Sequence, residues 1–131
     1  MSKEIKKFDE RGNLIYQKFS YGREYWNEYD ENNNLIHSKD FLGYECWYNY
    51  DENNNIIHCK DKNGYEYWRE YDENNNCIYW GSSNGFEVWW KYDENNEQIE
   101  ITRQEFEKIK KEKSRELINN SKISRFDIMD I

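Results

Sequence analysis

Residues 29–50 read YDENNNLIHSKDFLGYECWYNY, and residues 50–71 read YDENNNIIHCKDKNGYEYWREY, the same phrase one period further on. Outward from that pair, Tyr29-Asp30 has counterparts in Phe8-Asp9, Tyr50-Asp51, Tyr71-Asp72 and Tyr92-Asp93. A glycine returns at Gly22, Gly43, Gly64 and Gly85, and a tryptophan four residues later at Trp26, Trp47, Trp68 and Trp89. A fixed period without insertions marks a repeat architecture. The segment after each glycine alternates and is rich in aromatics, which suits a strand. DENNN supplies turn residues, LIHSK or IIHCK forms a second strand, and D-x-x-G makes a second turn. The expected fold is mainly β: an antiparallel meander sheet of hairpin repeats over residues 1–101, with units starting near 8, 29, 50, 71 and 92. A C-terminal α-helix and tail follow over 102–131.

An odd period poses a problem of parity. Side chains alternate with a period of two, so a 21-residue repeat would turn every second unit inside out unless each unit carries a one-residue bulge. Gly12 aligns with Asn33, Asn54, Asn75 and Asn96; these residue types tolerate left-handed backbone, so the bulge is expected there. In that register one face carries Tyr25, Tyr29, Leu35, His37, Cys46, Tyr48, Tyr50, Ile56, Tyr67, Tyr71, Val88 and Tyr92. The other carries the tryptophans beside Ile36, Ile57 and Ile78, flanked by Glu24, Glu45, Glu66 and Glu87.

The pattern stops after Asn96. Ile99 and Ile101 can close the sheet as a last short strand, and Thr102 with Glu105 has the form of a capping box. Arg103 to about Asn119 lacks glycine and proline and should be helical. The apolar positions Phe106, Ile109, Leu117 and Ile118 are sparse, which predicts shallow packing, and the tail SKISRFDIMDI is apolar enough to dock. With 36% hydrophobic residues but 18% aromatics, burial must come from flat rings, which favours a thin sheet over a globule.

The unit YDENNNLI…KD..GYE.W.EYD resembles the tyrosine-aspartate (YD) repeats of the Rhs-like family. Tyr29-Asp30, Asn34-Leu35 and Asp40 to Gly43 carry the likeness, which covers roughly residues 8–98. In that family such repeats form long β-sheets that spiral into shells around a toxin, so the resemblance implies architecture rather than chemistry. Four or five units are too few for a shell, and no toxin or self-cleavage domain follows.

Charge narrows the partner. The net charge is −8, and residues 8–100 carry 8 Lys/Arg against 20 Asp/Glu. Such a body repels nucleic-acid phosphates and favours a basic protein partner. No run is long and apolar enough for a membrane span, so no membrane partner is expected, and MSKEIKKF is not a secretory signal. Cys46, Cys59 and Cys77 occupy three different repeat positions, so they read as free thiols in a cytoplasmic protein. The Asn, Lys, Ile and Tyr usage suggests a bacterial or phage origin. A meander has two free edges, which makes a homodimer through sheet edges an open option.

No catalytic, cofactor or metal constellation emerges. His37 and His58 share a repeat position with Tyr16 and Tyr79, two strands apart, too far for one metal ion. The repeated aspartates open turns, and four identical copies argue for structure where an active site is singular. Two surfaces remain. One is the tryptophan stripe, centred on Trp47, Trp68 and Trp89 with Glu66 and Glu87, and with Trp80 and Trp90 adding aromatic density. Its structural alternative is a core half covered by the helix or by sheet curvature. The other is a row of turn tips including Asp72, Glu73, Asp93 and Glu94, whose structural alternative is solvated turns and edge protection. The expectation is a non-enzymatic protein–protein interaction module, a small acidic inhibitor (anti-CRISPR-like anti-defence or immunity-type). It would occlude a basic, nucleic-acid-handling or toxin partner. A carbohydrate- or choline-binding aromatic repeat module is the alternative.

Overall fold

Alternating aromatic and polar residues do form strands, and Asp/Asn/Gly tracts do turn them. The computed structural model describes residues 3–129, with side chains described to residue 121. Ten strands occur in chain order: β1 (Ile5–Phe8), β2 (Leu14–Lys18), β3 (Glu24–Tyr29), β4 (Leu35–Lys39), β5 (Glu45–Tyr50), β6 (Ile56–Asp61), β7 (Glu66–Tyr71), β8 (Cys77–Ser82), β9 (Glu87–Tyr92) and β10 (Gln98–Ile101). They lie side by side in that same order in one antiparallel meander, followed by α1 (Arg103–Met129). The helix thus runs past the Asn119 end expected for it, because nothing in SKISRF breaks it. Side chains from Lys122 onward, and with them the docking of the tail, lie outside the described residues. Among the described residues no helix is long and apolar enough to cross a membrane.

Both turns of every unit share one backbone solution. Asp30 N–H donates to the Asn34 carbonyl and Asn33 N–H to the Asp30 carbonyl; Asp40, Gly43 and Tyr44 repeat the arrangement in the next turn. This is the three-residue loop that ends in a left-handed residue. That residue is Gly12, Asn33, Asn54, Asn75 or Asn96 in the first row of turns, at φ 62–86°, and Gly22, Gly43, Gly64 or Gly85 in the second.

The left-handed geometry is where the sequence places it, but the parity correction is not. Both turns have it, so together they would still set residue i over residue i+20. The odd residue is absorbed further on. Glu28 pairs with His37 and Tyr29 with Leu35, so Ile36 is skipped. Ile15, Ile57 and Ile78 are skipped in the same way. An apolar residue at a bulge looks like any other strand residue, which is why the sequence hides it.

The chain divides into two compact units, Met1–Glu87 and Val88–Ile131. In the first, burial is shallow: Cys59 is its buried hydrophobic residue, and among the described residues no large side chain is fully buried. Tyr29 and Tyr50 brace it by donating from their hydroxyls to the Leu14 and Leu35 carbonyls, at 3.0 and 2.7 Å. In the second, β10 lies against β9 without a bulge, so Ile99 faces Lys91 and Ile101 faces Trp89. Ile101 and Phe106 are 9% and 8% exposed. Thr102 caps the helix by accepting from Glu105 N–H at 3.2 Å. The Glu105 carboxylate reaches Lys91 Nζ at 2.8 Å, tying the first helical turn to β9. Leu117 and Ile118 stay exposed, in keeping with shallow packing.

Candidate partner-binding surface

The register decides what shares a face. Trp26 stands between Tyr16 and Lys39, Trp47 between His37 and Lys60, and Trp68 between His58 and Gly81. His37 therefore lies on the tryptophan face, opposite to its expected placement, because the bulge at Ile36 comes before it. Successive tryptophans are also offset by two residues along the strand. With about 4.8 Å between strands and about 3.3 Å per residue, this puts them roughly 12 Å apart. They accordingly do not stack on one another. Each indole meets the ring on the preceding strand: Tyr16–Trp26 at 5.9 Å, His37–Trp47 at 5.2 Å and nearly parallel, and His58–Trp68 at 5.6 Å.

A carboxylate eight residues on lies beside each of those rings. Tyr16 Oη donates to Glu24 at 2.6 Å and Tyr79 Oη to Glu87 at 2.8 Å; His58 Nε2 lies 2.9 Å from Glu66. His37 sits between Glu28 at 3.2 Å and Glu45 at 3.7 Å. The bond to Glu24 raises the Tyr16 hydroxyl above its usual range. Lysines complete the rows, Lys39 at 3.7 Å from Glu45 and Lys60 at 3.9 Å from Glu66. Lys39 Nζ also stands over the Trp26 ring at 5.8 Å. Trp26, Trp47 and Trp68 remain 39–41% exposed, so the stripe is an accessible surface.

The other predicted residues fall elsewhere. Trp80 pairs with Arg69 across β7 and β8, on the tyrosine face, where its ring lies 6.3 Å from Tyr67 and 5.7 Å from Phe86. Burial pushes Tyr67 up to about 12 and raises the thiols of Cys59 and Cys77, keeping them protonated and poorly nucleophilic. Within the second unit Trp89 faces Ile101 while Trp90 faces Glu100, so the two indoles point to opposite sides. Among the described residues, no group of three or more His, Cys, Asp or Glu side chains is placed to hold a metal ion.

The turn row is more ordered than a string of solvated loops. In each turn the aspartate Oδ1 accepts from two backbone N–H groups, two and four residues on; for Asp72 these are Asn74 and Asn76, and for Asp93, Asn95 and Glu97. The bond from Asn13 N–H holds Asp9 below the usual carboxylate range, and that from Asn34 N–H does the same for Asp30. Asn13 donates to Asn33, Asn34 to Asn54 and Asn55 to Asn75 at 2.8–3.0 Å, linking each turn to the next. Beside each fixed aspartate stands an exposed glutamate, among them Glu31, Glu52, Glu73 and Glu94.

One exposed feature escaped the sequence reading. The glycine turns present Tyr21, Phe41, Leu42, Tyr44 and Phe86 to solvent, Leu42 at 76%. The available signal was an apolar residue inside a turn tract, as in Asp40-Phe41-Leu42-Gly43 where the next unit has Asp61-Lys62-Asn63-Gly64.

No protein-family model matches the chain, and no curated protein does. Among solved structures it is similar to TcdB2-TccC3-TEV, at 17% identity with a TM-score of 0.44, and to TcdB2-TccC3-Cdc42, at 18% and 0.40. In both cases the match covers 73% of this chain and 7% of the other, so the chain spans a small fraction of the length of those proteins.

Proposed function

We propose that this chain is a non-enzymatic protein–protein interaction module, a small acidic inhibitor of the anti-CRISPR-like or immunity type that occludes a basic nucleic-acid-handling or toxin partner. The observation that carries it is the row of aspartate turns. Each presents a carboxylate fixed by backbone donors beside an exposed glutamate, and the asparagine links hold neighbouring turns in register. Successive turns are roughly 10 to 12 Å apart, two strands along the sheet. With two carboxylates per turn, the charges follow one another at roughly half that distance. This is closer to the phosphate spacing of a single nucleic-acid strand than to the denser charge of a duplex. A preorganised charge row loses little entropy on docking and steers a basic partner to it. The hairpin-repeat scaffold, read from its sequence as YD-like, supplies the regular spacing.

The test is capture from bacterial lysate at low and high salt, with Glu31→Gln, Glu52→Gln, Glu73→Gln as one variant. A basic protein retained at low salt and released by salt or by the variant is the expected result. Retention that ignores both would end the reading.

The accessible indoles favour one second reading, an aromatic platform for sugars or a choline-like cation. Displacement of a captured partner by free glycan or choline, with no response to salt, separates the two.

A further inference from the structure

The rows on the tryptophan face form a series in which one member is missing. Lys39 stands opposite Trp26 on one side and Glu45 on the other, and Lys60 stands likewise between Trp47 and Glu66. An indole, an ammonium and a carboxylate thus lie side by side, with the charges cancelling in each row. In the next row the residue opposite Trp68 is Gly81, and the carboxylate one repeat on is Glu87. The indole and the carboxylate persist while the cation is gone.

Its place has not been taken by another charge. The Tyr79 ring folds across Gly81, with its hydroxyl where a Cβ would stand, and donates to Glu87 at 2.8 Å. A phenol is neutral, so this row keeps a net negative charge that the two rows before it do not. Trp68 is 41% exposed and Glu87 is exposed. We infer that the exposed surface between Trp68 and Glu87, over the Tyr79 ring, receives a lysine side chain from the basic partner, the ammonium on the carboxylate and the alkyl stem along the indole. The chain itself displays this mode of recognition with its own Lys39, which lies over the Trp26 ring and beside Glu45, and Lys60 reaches Glu66 opposite Trp47.

This assignment rests on the reading of the chain as a binder of basic proteins, and it names the partner group that one row selects. The experiment uses the full chain with a short oligolysine peptide as probe, followed by the indole N–H signals in NMR, with Trp68 identified from Trp68→Phe. Oligolysine shifts the Trp68 signal well beyond those of Trp26 and Trp47. The variant Tyr79→His, Gly81→Lys turns the row into a copy of His58 and Lys60 and supplies the missing lysine from within. Its unfolding midpoint in urea stays near that of the parent, and peptide affinity at Trp68 falls about fivefold to tenfold, the sum of one cation–π contact and one exposed ion pair.

Equal shifts at the three tryptophans, or unchanged peptide binding by the double variant, overturn the assignment. So does a Trp68 shift with choline and none with oligolysine. Salt-sensitive capture of a basic protein by the double variant, with Trp68 silent, would sink this site and leave the acidic row standing. A Trp68 response together with capture that ignores the glutamine changes would do the reverse.

Discussion

The two rows of turns share one backbone geometry and treat solvent in opposite ways. In the aspartate row, left-handed asparagines are joined to neighbouring turns by side-chain bonds, and no large apolar side chain is exposed between Glu31 and Asn34 or their repeats. In the glycine row, left-handed glycines sit beside exposed Tyr21, Leu42 and Phe86. Glycine bears the left-handed conformation at no steric cost. Asparagine tolerates it less well but brings a donor and an acceptor. The comparison teaches that one loop can carry fixed carboxylates or apolar tips, with neighbouring turns joined through the left-handed asparagines in one row and through the Tyr44 hydroxyl on Asp61 and the Lys62 and Ser83 amides in the other.

The sharpest way to break that contrast is to remove tolerance of the left-handed residue. Asn54→Val places a β-branched side chain at φ 65°; it should cost about 2 kcal/mol in urea unfolding, and a neutral result would show that the turn can refold in another form. Next in size is the acceptor. Asp51→Ala strands the N–H groups of Asn53 and Asn55 and the Asn55 amide, whereas Asp40→Ala strands the N–H groups of Leu42 and Tyr44 alone. The expected losses are about 1.5 and about 1 kcal/mol; equal losses would deny the aspartate row its extra side-chain bond.

Acid probes the same row without mutation. Asp9 and Asp30 have lowered pKa values in the fold, so their contribution is fully present above the ordinary aspartate value of 3.8 and is lost as pH falls through the lowered one. Protection factors for hydrogen exchange at Arg11, Asn13, Asn32 and Asn34, whose amides bond these carboxylates, should fall over that window. Unchanged protection at pH 3 would mean that the carboxylates are dispensable. Smaller still is Asn54→Gly, which keeps the turn and deletes only the acceptor of the Asn34 amide; about 0.5 kcal/mol or less is expected, glycine's ease at positive φ offsetting the lost link. The smallest effect belongs to the other row. Leu42→Ser, at an exposed tip, should stay within about 0.5 kcal/mol; a larger loss would show that the apolar tips pack.

Much of this was legible in the sequence. Tyr-Asp, glycine and tryptophan at constant spacing disclosed the repeat, and Asn33 and its equivalents disclosed the left-handed turns. What stayed hidden depended on register. Ile36 at the bulge is chemically an ordinary strand residue, so His37 was read onto the wrong face. Gly81 looked like a neutral position until pairing with Trp68 showed it where two other rows hold a lysine. The links from Asn13, Asn34 and Asn55 to the following turn were equally invisible, since an asparagine tract announces a turn but not its neighbour across space. Trp80 and Trp90 raised the aromatic count of one region, yet pairing divides Trp80 from Trp68 and Trp90 from Trp89 by face.

Because every strand hydrogen-bonds only with strands adjacent in the chain, the sheet behaves as a one-dimensional stack whose stability is set by nearest neighbours. Excising the stretch between one Tyr-Asp junction and the next removes one whole unit and leaves a junction of the same kind behind. Slippage during replication could therefore lengthen or shorten the protein in whole steps without disturbing how any unit folds. The number of units sets the length of the turn row, and under the proposed function a partner with a longer basic groove would call only for another copy of the same unit.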